Sequence, residues 1–272
     1  MGDSRSGPVY KGLGKIPDRA LLLFAGLVYL FLYAPIMVLI FFSFNSTKST
    51  QVWTGFSTQW YGELIRDGSV LNAFKLSLIV GLTATAIATV IGTLTALALS
   101  RYDFRGKTFA DSAIYAATVM PEIVVGVSLL VFFVAATVEL GIVTIIIAHV
   151  AFCISFVTIV VRARLSGMDR SVEEAAQDLG ATPVQTFLRV TLPLILPGVM
   201  AGALLAFTLS FDDFVITFFV AGVGSSTLPL KIYSMIKFGV SPVINALSTV
   251  VMVSTMILIL GGSRFLSRGE NA

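Results

Sequence analysis

The chain has 272 residues, of which 56% are hydrophobic and 12% charged. Soluble domains carry a charged share of about 25%, so the composition excludes a soluble globular protein and points to an integral membrane protein. The formal charge of +3 and the sequence pI near 9.1 call for no nucleic-acid partner, because the placement of lysine and arginine along the spans accounts for the excess.

In chain order, residues 1–19 are Gly-rich and charged and read as a cytoplasmic tail with a short interfacial stretch. They lack the small-residue cleavage pattern of a signal peptide, and the apolar run that follows is long enough to span, so the segment is expected to be retained. Crossing about 30 Å of hydrocarbon takes about 20 apolar residues. Six such runs lie near 20–44, 71–99, 109–137, 142–161, 194–221 and 243–263. They predict one all-α membrane domain over 20–266, with a cytoplasmic C-terminal tail at 267–272. Between the first two runs, Trp53, Phe56, Trp60 and Tyr61 read either as headgroup anchors or as a rim that meets a substrate-delivering protein. The segment 222–242 could share that docking role. Gly106-Lys107-Thr108 has the look of a phosphate-loop ending, but Arg101 stands where the first glycine belongs, so no nucleotide binds by that route.

Glu122, preceded by Pro121, falls near the middle of the third run, and Asp212-Asp213 interrupt the fifth. An ionised acid at the bilayer centre costs at least about 2.5–3.5 kcal/mol, so each is expected to face protein or water. Asp212 and Asp213 differ by about 100° in direction on a helix, so they cannot share one bearing, and one of them can serve structure. No lysine or arginine lies in the interior of a run to neutralise them, which leaves that role to a cation from outside or to a partner chain. A multiply charged amine fits, held by these acids and by the faces of Phe211, Phe214 and Phe218 through cation–π contacts. His149 and Cys153 are the only residues of their types; the first reads as a polar side chain bonded to a neighbouring helix, and neither offers a metal site.

The polar segment 171–198 reads as two short helices around a glycine hinge. Ser171 with Glu174, and Thr182 with Gln185, have capping-box spacing, Gly180 supplies the stop, and Pro183 suits a first helical position. Val172, Ala175, Ala176 and Leu179 form one apolar stripe, and Val184, Phe187, Leu188 and Thr191 a second. Each helix is far shorter than the roughly 12–15 residues an isolated helix needs in water, so something outside it must hold it. Thirteen of the 18 lysines and arginines fall on one side of the six runs, which puts both termini and the 162–191 segment in the cytoplasm.

Glu174-Ala175-Ala176, Gly180, Val190 and Leu192-Pro193 resemble the EAA loop of permease subunits from bacterial ATP-binding-cassette importers, with both spacings intact. The resemblance implies that this segment docks on a cytosolic ATPase, through Glu173, Glu174, Ala175, Ala176, Asp178, Leu179, Gly180, Ala181 and Phe187. Residues 37–255 are similar to spermidine/putrescine importer permeases of the C-subunit type. The stretches that carry this are Phe44-Asn45-Ser46, Trp60-Tyr61, Arg101 to Lys107, Phe207 to Asp213, Leu228 to Met235 and Gly239 to Pro242. The likeness implies a type I importer fold in a bacterial inner membrane. It also implies a B-type permease as heterodimer partner, two copies of the ATPase, and an extracytoplasmic polyamine-binding protein.

The expected function is therefore the transmembrane half of an ATP-driven polyamine importer. The chain itself is no enzyme and binds no cofactor; ATP and magnesium belong to the partner ATPase. The competing expectations are a permease of the same architecture for an amino acid derivative or another organic cation, and a self-sufficient channel or membrane enzyme, for which the runs offer no catalytic constellation.

Overall fold

A computed structural model describes residues 18–49, 52–237, 239 and 241–269. The tail at 1–17 and residues 270–272 lie outside the described residues. The helices are α1 Asp18–Phe42, α2 Gln59–Arg66, α3 Gly68–Arg101, α4 Lys107–Val119, α5 Glu122–Ala135, α6 Ile142–Ser166 and α7 Ser171–Asp178. After them come α8 Pro183–Thr186, a π turn Phe187–Thr191, α9 Leu192–Asp212, α10 Val215–Val220, α11 Leu228–Lys237 and α12 Pro242–Gly269. Strand pairing among the described residues is limited to one isolated bridge, Asn45 with Phe56.

The chain divides into two units, residues 1–63 with 241–251, and residues 64–240 with 252–272. In the first, none of the apolar side chains of α1 is fully buried among the described residues. The loop after it is built on Asn45. That side-chain amide donates to the carbonyls of Ser49 and Val52, and its oxygen accepts from the backbone N–H of Thr54. The Trp60 indole donates to the Asn45 carbonyl at 2.5 Å and is buried. One of the four aromatic residues read as interfacial is thus an internal brace of the loop.

The second unit packs α3, α6 and α9 around one core, with Val80, Ala88, Ala96, Ala148, Phe152, Val157, Val161, Ile195 and Ala206 buried at its centre. Small residues let these backbones approach. At Gly198 of α9 an added Cβ would sit 2.6 Å from Cβ of Arg164 on α6. Ser77 of α3 accepts from the first backbone N–H of α11, that of Leu228, at 2.8 Å, which satisfies an otherwise orphaned helix-start donor.

The helices α1, α3, α6 and the continuous run Pro183–Asp212 are each long and apolar enough to cross a membrane. The run expected over 109–137 is not one rod. It is α4 and α5 bent by 112°, because Pro121 disfavours the helical conformation at the residue before it and Met120 is extended, with ψ at 133°. The run expected over 194–221 also breaks: α9 stops at Asp212, Asp213 is extended, and α10 starts at Val215. The expected sixth run falls on α12, whose apolar character is described over Pro242–Ile257.

Candidate functional site

The polar segment and the intramembrane acids are joined by one element. The second of the two short helices expected at 171–191 does not end. Its capping box forms, Thr182 N–H to Gln185 at 3.0 Å and Gln185 N–H to the Thr182 hydroxyl at 3.3 Å. The helix then continues through the π turn into α9. The resulting run has 30 residues, or about 45 Å at 1.5 Å per residue, with Pro183 at one end and Asp212 at the other.

The first helix, α7, is short, as expected, and its stop is the expected one. Gly180 takes φ of 89°, its N–H reaches the Gln177 carbonyl, and the Ala181 N–H reaches that of Ala176, which is the paired closure of a Schellman end. The box expected between Ser171 and Glu174 is absent. Asp169 sits two residues before Ser171 and accepts the Ser171 N–H at 3.0 Å, so the capping acceptor comes from the earlier residue. Those hydrogen bonds from the Ser171 backbone and hydroxyl hold the Asp169 carboxyl below its usual value.

What holds α7 lies within the chain. Glu173 Oε2 is 2.9 Å from Arg101 Nε at the end of α3, an ion pair with both side chains largely buried, although the N–H does not point along the contact. Its other oxygen accepts from the Thr191 hydroxyl at 2.7 Å. Arg170 donates to the Ser100 carbonyl at 2.9 Å. A cavity of about 250 Å³ lies beneath α7, with Arg101, Arg170, Glu173 and Thr186 in its wall. Glu173 therefore fastens the segment, whereas Glu174, Ala175, Asp178, Leu179 and Gly180 face outward and Ala176, Ala181 and Phe187 are half-buried. The apolar stripes are covered only in part: Thr191 is buried, whereas Val172, Val184 and Leu188 are exposed and Leu179 is 90% exposed.

At the other end of the run the three acids part company. Asp213 is buried and saturated by donors from its own chain. Its Oδ1 accepts the Ile216 N–H at 3.2 Å, and its Oδ2 accepts the Thr217 N–H and hydroxyl, both at 2.8 Å. The imidazole Nε2 of His149 is 3.2 Å from Oδ2. Asp213 thus caps α10, the structural role that the sequence left open for one of the two aspartates. Asp212, the last residue of α9, is exposed. Glu122 is exposed in the first turn of α5, where the helix dipole favours a negative group, rather than in mid-helix. Gly126, one turn on, packs against Ile216 and Phe219 of α10. Both aspartates lie within electrostatic reach of Glu122.

Aromatic rings flank this group. Phe211 stacks on Phe207, with centroids 5.6 Å apart, and Phe214 lies 4.6 Å from Tyr233 of α11 and 5.6 Å from Phe218. Sequence reasoning passed over Tyr233 and Arg101 as site residues; it read His149 as bonded to a neighbouring helix, as it is, without naming the partners. The first two sit inside the stretches that carry the family resemblance. Nothing local in the sequence pairs His149 with a residue 64 positions away.

Comparison with known proteins bears on what such an arrangement serves. Residues 88–266 match the family described as binding-protein-dependent transport system inner membrane component. The putrescine transport system permease protein PotI of Escherichia coli K12 is 46% identical over 243 residues, covering 87% of this chain and 86% of that protein. The spermidine/putrescine transport system permease protein PotC of Haemophilus influenzae is 41% identical over 248 residues, 91% of this chain and 96% of that one. In fold, the chain is similar to a bacterial ABC transporter for the acidic polysaccharide alginate, with TM-score 0.76, 16% identity and coverage of 95% and 99%. It also resembles the MetNI methionine ABC transporter, with TM-score 0.62, 18% identity and coverage of 79% and 99%. Multiple apolar helices, the family match and these identities lead to one assignment: the chain belongs to the inner membrane components of binding-protein-dependent transport systems, as a multi-pass permease subunit rather than an enzyme.

Proposed function

We propose that this chain is the permease half of an ATP-driven importer of polyamines, putrescine or spermidine. The observation that carries the reading is 46% identity to a putrescine permease over 87% of the chain. The chemistry is consistent with it, since Asp212 and Glu122 are exposed acids and Phe211 and Phe214 flank the two aspartates along the chain, and an alkyl diammonium takes both carboxylates and ring faces.

In this reading six spans cross the bilayer with both termini in the cytoplasm. A B-type permease completes the pathway, two cytosolic ATPases bind ATP and magnesium, and an extracytoplasmic protein delivers the amine. The exposed stripe of Val172, Leu179, Val184 and Leu188, with Glu174 and Asp178, meets the ATPase as the EAA coupling segment. Closure of the ATPases moves α7, and α7 moves the 30-residue run through Glu173 and Thr191, which carries the displacement to Asp212.

The test is uptake of labelled putrescine by cells that lack their own polyamine import and express this chain with its partner subunits. Uptake that requires ATP and is competed by unlabelled spermidine supports the proposal. Competition by an amino acid derivative or an unrelated organic cation, with none by polyamines, overturns the substrate. Deleting Glu174 to Gly180 is expected to abolish uptake while the protein stays in the membrane.

A further inference from the structure

His149 is a buried titratable group of the apolar runs that the transport reading leaves without a task. It stands on α6 with its ring 2% exposed, and its two nitrogens reach both sides of the break in the fifth apolar run. Nδ1 is 2.7 Å from the hydroxyl of Ser210, in the last turn of α9. Nε2 is 3.2 Å from Oδ2 of Asp213, at the break, and 3.0 Å from the hydroxyl of Thr217, in α10. A carboxylate only accepts, so Nε2 carries a proton toward Asp213, and in the neutral ring Nδ1 accepts from Ser210. The order Ser210, His149, Asp213 is that of a hydrolytic triad, but Ser210 and Asp213 are 5% and 8% exposed. No ester or amide reaches the hydroxyl, so the constellation is not catalytic.

Its geometry serves position instead. Between the two arms that His149 joins, the backbone leaves the helix at Asp213, with φ of −64° and ψ of 125°, and the residue left at the end of the helix is Asp212, exposed. Had the helix run on, Asp213 would have lost its capping bonds to Ile216 and Thr217, and Asp212 would no longer end it. We infer that His149 is a positioning residue: its imidazole fastens α9 to α10 across the break and so sets Asp212 at the face where a cationic substrate passes. This rests on the proposal that Asp212 serves an amine path.

The test is a double-mutant cycle in the assembled importer, reading ATP-dependent putrescine uptake at saturating loaded binding protein, with membrane content followed by immunoblot. Asp212→Asn and His149→Ala are each expected to lower the rate about tenfold, and the pair is expected to fall no further than Asp212→Asn alone, because coupled residues are non-additive. His149→Gln, which keeps a donor toward Asp213, is expected to recover most of the rate. If His149→Ala fails to accumulate, Ser210→Ala and Thr217→Val each cut one arm and are read in the same cycle. Losses that multiply in the double variant, or normal uptake by His149→Ala, overturn the inference. If Asp212→Asn transports normally, the amine path falls as well; if Asp212→Asn is impaired and His149→Ala is not, only the role of His149 falls.

Discussion

Asp212 and Asp213 are neighbours in sequence and opposites in circumstance. Asp213 has four donors around its two oxygens and is buried, whereas Asp212 is exposed. Removing the Asp213 carboxylate leaves the buried donors of Ile216, Thr217 and His149 without their acceptor, at a cost of about 1–3 kcal/mol for each unsatisfied group. Asp213→Ala is therefore expected to lower the thermal midpoint of the detergent-purified protein by several degrees. Asp212→Asn is expected to leave that midpoint nearly unchanged while reducing uptake, so calorimetry and transport together separate the two acids. Gly180 offers a second single-residue test. An L-residue at its φ of 89° costs about 1–2 kcal/mol, so Gly180→Val is expected to fray the end of α7 and uncouple ATP hydrolysis from uptake at normal membrane content. Gly180 was legible in the sequence because its stop signal is local. Asp213 was legible only as one of two acids, because the imidazole that answers it arrives from another helix.

At the scale of elements, α7 shows how an eight-residue helix persists below the length at which helices stand alone in water. Its hold is the Arg101–Glu173 pair and the Thr191 bond to the same carboxylate. Glu173→Ala is expected to raise amide hydrogen exchange across 171–178 and to lower coupled uptake, while Glu174→Ala, on the exposed side, is expected to leave exchange unchanged. Acid acts on the same helix through its cap. The Asp169 carboxyl is lowered in the folded chain, so its contribution is complete above the ordinary carboxylate value, about 3.9, and is lost as pH falls through the lower folded value. Exchange protection of α7 is expected to be flat at neutral pH and to drop below about pH 4, and Asp169→Asn is expected to reduce that drop.

The elements also mark what a sequence can disclose. Long apolar runs are governed by hydropathy, a property of the run itself, and the helices fall on them. The break at Met120–Pro121 was visible as a proline but not as a 112° turn, since the angle depends on α5 packing against α10 through Gly126. The capping box of Thr182 and Gln185 formed, while that of Ser171 gave way to Asp169.

For the whole molecule, orientation is the property that the transport reading most needs, and the chain is well suited to its measurement. Its single cysteine, Cys153, is fully buried, so Leu179→Cys and Val52→Cys each add one reactive thiol at an exposed position without a cysteine-free background. A membrane-impermeant maleimide is expected to label position 179 in inside-out vesicles only, and position 52 in right-side-out vesicles only. The reverse pattern would place α7 away from ATP and end the coupling proposal.

The π turn at Phe187–Thr191 has a consequence for how this run tolerates change in length. A π turn is the form an α-helix takes when it absorbs one surplus residue, so the phase between the face of α8 and the azimuth of Asp212 is adjusted there. Excising Leu188 is expected to let the turn relax to ordinary α-helix with both flanks keeping their bearings, and transport is expected to survive in part. Excising one residue from the middle of α9, where no surplus is stored, would swing everything beyond it by about 100° and silence the permease.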